Sequence, residues 1–114
     1  MLIDDLKIAG INTDACLAKF LGNEALFTKY AIRFKDDTNF DNFKKALEAN
    51  DNDLAIHYIH TMIGETGQLG FEDLFEVSNN ILIQMRAGNF AYAYDNMERL
   101  EKEYYRIKNI VSKY

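Results

Sequence analysis

The chain contains no proline, so none of its helices can be ended or kinked by a missing backbone N–H group. Six glycines are the only strong breakers of regular structure, and each falls at a predicted helix end or close to His60. This pattern indicates an all-α protein whose helices are joined by tight connections.

Scarce residue types exclude several classes of protein. The single cysteine, Cys16, cannot form an internal disulfide, and its apolar helical surroundings favour a small buried side chain over a reactive thiol. The net charge is -5 and no cluster of Lys and Arg occurs, which argues against nucleic acid as a partner. There is no signal peptide and no apolar run long enough to cross a bilayer, so we expect a cytoplasmic protein without membrane contact.

Chain length and composition predict a single domain over residues 1–114. The 114 residues are 48% apolar and include eight Phe and seven Tyr, which is enough for one core and too little for two. The start at Met1 and the compact length favour a stand-alone protein, and we expect a monomer.

Hydrophobic periodicity predicts six helices, because apolar residues recur every three or four positions in six segments. Asn12 or Thr13, Asn23 and Asp51 or Asn52 precede three of them and can cap their first turns. The predicted helices cover residues 12–22, 23–34, 40–50, 51–70, 71–87 and 90–114, with a polar break at 36–39.

Four of these helices carry the longest apolar stripes: those over 23–34, 51–70, 71–87 and 90–114. Helices joined by short connections pack antiparallel, so the prediction is an antiparallel up-down four-helix bundle. The short first helix is an extra N-terminal element that covers one end. The helix over 40–50 continues or kinks from the second helix.

The segment from His60 to Gly70 carries the strongest functional signal. Glycines follow the histidine at four, seven and ten residues, and the first two, Gly64 and Gly67, fall on the histidine's own face of the helix. A glycine inside a helix costs up to ~1 kcal/mol relative to alanine. Two of them beside one imidazole indicate that another molecule approaches the ring closely.

The apolar stripe of the same helix is predicted to face the core, which leaves His60 on the solvent side. Ile56 and Ile63 lie one turn before and after the histidine and are predicted to be exposed. An apolar patch around an exposed histidine is typical of a docking surface, although isolated exposed isoleucines are also common. The predicted core stripe comprises Leu54, Ala55, Tyr58, Ile59, Met62, Thr66 and Leu69.

This segment resembles the signature of histidine phosphotransfer (HPt) domains, in which a histidine carries a phosphoryl group between response-regulator receiver domains. The similarity in spacing extends over nearly the whole chain. The positions that match the family pattern after His60 are Met62, Gly64, Gly67 and Gly70. Ile63 departs from the pattern, because the family has a lysine there that helps to hold the phosphoryl group and the acidic partner.

The resemblance implies a phosphocarrier in a two-component phosphorelay, phosphorylated at His60, whose partners are a receiver domain and a hybrid sensor histidine kinase. It implies no cofactor on this chain, because the receiver supplies the Mg²⁺. The sequence has no nucleotide-binding loop, so we expect a carrier and not an enzyme. The residues expected to contact the partner are Ile56, His57, Ile63, Gly64, Gly67 and Gln68.

The sequence is compatible with several alternatives. Ile63 is compatible with an HPt-like binding module that docks a receiver or kinase without carrying phosphate, and a purely structural bundle is a third possibility. His57 is a rival for phosphorylation on roughly the same face, but no glycine stands at the required spacing from it. Asp53 with the two histidines could bind a metal ion, although neither histidine has a Glu three residues before it.

The sequence also predicts the hydrogen bonding and solvation of several polar residues. Gln68 either caps the helix or donates its amide hydrogen to a phosphoryl oxygen. Thr66 is expected to bond a backbone carbonyl one turn earlier. Glu65 points away from the histidine and is predicted to be solvated, and Asp36 and Asp37 are interpreted as charges of a helix end or loop.

Overall fold

Helices and short turns make up the whole fold in the computed structural model, which describes residues 1–114, and no strand is present. The all-α prediction is therefore confirmed. The helices are α1 (Leu2–Ile8), α2 (Thr13–Ala18), α3 (Glu24–Arg33), α4 (Asn39–Glu48), α5 (Asn52–Leu69), α6 (Glu72–Arg86), α7 (Ala91–Asp95) and α8 (Met97–Val111). A 3-10 turn, Phe34–Asp36, continues α3. None of the helices is both long and apolar enough to span a lipid bilayer.

Side-chain caps begin three of the helices at predicted positions. The side-chain oxygens of Asn12, Asn23 and Asp51 accept hydrogen bonds from the backbone N–H three residues ahead, at 3.2, 3.0 and 3.2 Å. Each bond satisfies a donor that the first helical turn leaves free, an effect of typically ~1 kcal/mol. At the other end of α5, which lies at the predicted position, Gly70 adopts a left-handed conformation with φ 77°.

The two ends of the chain differ most from the prediction. Residues 2–8 form α1, a helix absent from the prediction, whose two buried leucines are too few to give a clear periodic signal. The predicted single C-terminal helix is divided at Asn96, where φ is -109° and ψ is 7°. The side-chain amide of Asn96 donates to the carbonyl of Tyr92 at 2.9 Å, and the backbone N–H of Asn96 donates to the same carbonyl at 3.1 Å, so both groups of Asn96 close the last turn of α7.

The histidine-bearing helix α5 lies between α4 and α6, and α6 packs in turn against α8. The predicted bundle includes the helix over 23–34 and leaves out the helix over 40–50, but α4 makes a much larger contact with α5 than α3 does. Of the predicted core stripe of α5, five residues are buried, Tyr58 is half-buried, and Leu54 in the first turn is 40% exposed.

Aromatic rings connect the elements of the core, as their abundance predicts. The ring of Phe71, just before α6, lies 6.3 Å from Phe27 of α3 and 5.9 Å from Phe34. Tyr104 of α8 lies 5.3 Å from Phe34 and 5.2 Å from Phe40 of α4. Such pairs add roughly 0.5–1.5 kcal/mol each beyond the area they bury. The rings thus hold the region of the chain break against α8.

The end of α5 presses against the backbone of α2. A Cβ atom added at Gly70 would lie 2.7 Å from the Cα of Cys16 and 2.9 Å from the carbonyl oxygen of Ala15. Cys16 is fully buried in this contact, its thiol faces the Gly70 carbonyl at 3.5 Å, and burial raises its pKa to about 12. The prediction that Cys16 is a small buried side chain is confirmed.

Gly70→Ala is expected to lower the free energy of unfolding by about 3 kcal/mol or more, because it combines a left-handed backbone with a steric contact to α2. Gly88→Ala is the matched control, since Gly88 has φ +84° and an added Cβ would meet nothing within 4 Å. The control should lose only about 1 kcal/mol. Urea denaturation of both variants measures the difference, and equal losses would contradict the close contact.

Candidate functional site

His60 lies midway along α5 with its side chain exposed to solvent. The opposite face of the helix is fully buried at Ile59, Met62 and Thr66. His57 is also exposed, but its ring packs edge-on against Tyr58 with the two ring centroids 5.4 Å apart. An exposed imidazole on a helix anchored by its other face is accessible to a second protein.

The two isoleucines beside the histidine are less exposed than predicted. Ile56 and Ile63 are half-buried and pack against the core. Helical geometry places both on the same flank of the His60 direction, and packing of neighbouring helices against α5 covers part of that flank. The apolar surface next to the imidazole therefore consists of the edges of these side chains.

Gly64 and Gly67 are not required by packing within the chain. Gly64 is exposed, and an added Cβ would meet nothing within 4 Å. An added Cβ at Gly67 would come to 3.4 Å from a ring carbon of Phe75, a side chain that is itself 37% exposed. Because glycine has no side chain, these two positions instead leave a depression in the surface of α5 on the side of the histidine.

A groove of about 1310 Å³ follows the C-terminal half of α5, from Ile63 to Gly70. His60 precedes Gly64 by one helical turn and so stands beside the start of the groove. Gln68, predicted as a partner contact, is exposed on its floor. The remaining walls are formed by Lys19 and Phe20 after α2, Tyr30, Arg33 and Phe34 of the α3 region, and Glu72, Phe75, Glu76 and Asn79 of α6.

Charges of opposite sign line the two sides of the groove. Lys19 and Arg33 lie on the side of α2 and α3, whereas Glu72 and Glu76 belong to α6. The Arg33 guanidinium stacks over the ring of Tyr30 at 4.8 Å. The ion pairs of the chain involve neither Lys19 nor Arg33. Both cations are therefore available to an acidic group that enters from solvent.

Two carboxyl groups predicted to be ordinary solvated charges are withdrawn from solvent. Glu65 is half-buried and Asp37 is buried, because the break after α3 turns Asp37 inward against α8. The Nδ2 atom of Asn39 donates to Glu65 at 2.5 Å and to Asp37 at 2.7 Å. The Tyr104 hydroxyl donates to Asp37 at 2.5 Å. Burial, followed by the contact with Asp37, raises the pKa of Glu65 to about 7.

Thr66, the candidate metal ligands and Gln68 are the remaining polar residues with a predicted role. The Thr66 hydroxyl donates to the Ile63 carbonyl at 3.3 Å, which confirms the predicted bond to an earlier carbonyl. No group of three or more His, Cys, Asp or Glu side chains is arranged to hold a metal ion, and this includes Asp53, His57 and His60. A role of Gln68 toward a phosphoryl group stays a prediction.

Comparison of the chain with protein-family models, with curated proteins and with solved structures gave no match. The relation to histidine phosphotransfer domains therefore stays a prediction. The features of the molecule that bear on its function are the exposed imidazole, the two glycines and the groove.

Gly64→Ala is expected to raise the free energy of unfolding by up to ~1 kcal/mol, because alanine is a better helix former and its methyl group would enter open space. Gly67→Ala should gain less, since its methyl group would touch Phe75. Urea denaturation of the two variants and the wild type measures both effects. A destabilised Gly64→Ala protein would mean that this glycine serves the fold after all.

Proposed function

We propose that the chain is a histidine-containing phosphocarrier, built as an HPt-like four-helix bundle, that accepts a phosphoryl group at His60 from one receiver aspartate and passes it to another. The observation that carries the proposal is an exposed imidazole next to a groove floored by glycines that packing does not need. The fold could accommodate a side chain at position 64 without any clash. The glycine is explained if another molecule occupies the space that this side chain would fill.

Phosphoryl transfer requires few catalytic groups on this chain. A neutral imidazole is a good nucleophile near neutral pH. One ring nitrogen attacks the phosphorus of the partner's aspartyl phosphate in line, so that an N–P bond forms while the P–O bond to the aspartate breaks. The aspartate carboxylate leaves with the electron pair. The receiver contributes the Mg²⁺ and the acidic cluster, so the carrier has only to present the ring and bind the partner.

The groove supports binding of the partner next to His60. Gly64 and Gly67 allow an approaching backbone to come close to α5, and Phe20 and Phe75 offer apolar surface at the sides. A partner segment with acidic groups toward Arg33 and basic groups toward α6 would match the charges of the walls. We propose that the receiver docks in this orientation while its aspartyl phosphate reaches the imidazole.

Transfer from a panel of phosphorylated receiver domains tests the proposal. We expect acid-labile, base-stable label on the wild type and on His57→Gln, and none on His60→Gln, because the glycines stand at the required spacing only from His60. His57→Gln is the matched control, since it removes an exposed histidine from the same helix. Label that persists on His60→Gln and disappears on His57→Gln would overturn the assignment.

A second candidate is a binding module that docks a receiver or kinase without carrying phosphate. It is favoured by Ile63, which packs against the core and offers no positive charge to a phosphoryl group. Measurable binding to a receiver together with no label from any receiver in the panel would select this candidate over the carrier.

Ile63→Lys is expected to increase the rate of transfer to the chain about tenfold if the chain is a carrier, because a flanking cation stabilises the transferring phosphoryl group. The half-buried position allows the lysine stem to lie along apolar surface with its charge in water. Ile8→Lys is the control, since it adds the same charge at an exposed position of α1 outside the groove and should leave the rate of transfer unchanged. Weaker transfer and weaker docking in Ile63→Lys would refute this account of the missing lysine.

A further inference from the structure

The connection between α3 and α4 is an unusual place for a buried carboxyl group. The 3-10 turn ends at Asp36, Asp37 is extended with φ -66° and ψ 136°, and α4 begins at Asn39. Asp37 is only 8% exposed. Backbone contacts with α8 and the rings of Phe34 and Tyr104 enclose this connection. A carboxyl group held there needs partners for its charge.

Asp37 and Glu65 share one donor, which brings them close together. The same nitrogen, Nδ2 of Asn39, lies 2.5 Å from a Glu65 oxygen and 2.7 Å from an Asp37 oxygen. Two carboxylates within reach of one nitrogen repel each other, and partial burial strengthens that repulsion. One proton shared by the two groups would remove this repulsion.

The surrounding groups decide which carboxyl carries the negative charge. Asp37 accepts hydrogen bonds from the Tyr104 hydroxyl at 2.5 Å and from the backbone N–H of Asn39 at 3.2 Å, and both donors compensate negative charge at this carboxyl group. Lys108 of α8 donates to the Asp37 carbonyl, so its charge lies on the Asp37 side of the pair. The proton accordingly belongs to Glu65.

The charged groups of the other neighbouring elements do not neutralise Glu65. Asp41 of α4 accepts a hydrogen bond from the Tyr105 hydroxyl at 2.7 Å. The groove that Glu65 lines also contains Glu72 and Glu76 of α6, which carry the same charge and cannot neutralise it. The cations Arg33 and Lys19 line this groove too, but neither forms an ion pair with Glu65.

We propose that Asp37 and Glu65 form a pH-sensitive lock, in which a shared proton closes the connection between α3 and α4 onto α5 and its loss in mildly alkaline solution loosens that connection. The lock joins elements that carry the groove, because α3 holds Tyr30 and Arg33 on one wall and α5 forms the floor. It is a property of the fold and requires neither a partner nor phosphorylation of His60.

The direction of the pH effect follows from the raised pKa of Glu65, which is about 7 in the folded chain against an ordinary value of 4.5. Between these two values the folded state binds more protons than the unfolded state. The stabilisation is therefore complete below the ordinary value and is lost as the pH rises through about 7.

Glu65→Gln tests the lock, since a glutamine amide donates to Asp37 as a protonated Glu65 does and cannot ionise. Between about pH 5.5 and about pH 8.5 we expect the wild-type melting temperature to fall by roughly 5 °C more than that of Glu65→Gln. Glu48→Gln on the exposed end of α4 makes the same charge change and should follow the wild type. Parallel curves for the wild type and Glu65→Gln would overturn the proposal.

Two measurements keep the test decisive if the variant folds poorly. The carbon-13 signal of the wild-type Glu65 carboxyl should titrate near 7, and a midpoint at its ordinary value of 4.5 would refute the shared proton. Amide hydrogen exchange over residues 34–39, corrected for the intrinsic effect of pH, should accelerate about tenfold above neutrality in the wild type. Unchanged corrected exchange would refute the loosening.

Discussion

The contact between Gly70 and the backbone of α2 determines how the groove along the C-terminal half of α5 is built. At this point α5 ends in a left-handed residue, and the N–H of Phe71 donates back to the carbonyl of Thr66 at 3.0 Å. The chain then turns directly into α6, which places Phe75 beside Gly67. Because a residue with a side chain does not fit between this turn and α2, the angle between α5 and α6 and the groove between them depend on one glycine.

The three glycines after the histidine therefore have different physical reasons to be glycine. Gly70 is required by its backbone conformation and by the closeness of Cys16. Gly64 has ordinary helical geometry and open space around it, and Gly67 has only a flexible ring nearby. Inside a helix such residues cost stability without any compensating contact. Gly64 and Gly67 therefore lower the stability of α5 for no reason within the fold, and the proposed docking of a partner beside His60 supplies a reason.

The break between α3 and α4 is the second constraint on the fold. Aromatic contacts around Phe34 and Tyr104 hold it in place, and the buried Asp37 accepts a hydrogen bond from the Tyr104 hydroxyl there. The same break moves α3 away from the centre of α5, where α4 takes its place, and leaves Arg33 on the rim of the groove. The groove next to the histidine and the carboxyl pair behind it are thus two consequences of one interruption in the helical chain.

The sequence alone determined the features that arise within a few residues of each other. Capping by Asn12, Asn23 and Asp51, the end of α5 at Gly70, the exposure of His60 and the burial of Cys16 all follow from local hydrogen bonding or from helical periodicity. Only the tertiary structure decided the partial burial of Ile56 and Ile63, the division of the last helix at Asn96, the groove, and the pairing of Asp37 with Glu65. These depend on which distant elements come together, and a periodic pattern within one helix carries no information about its neighbours.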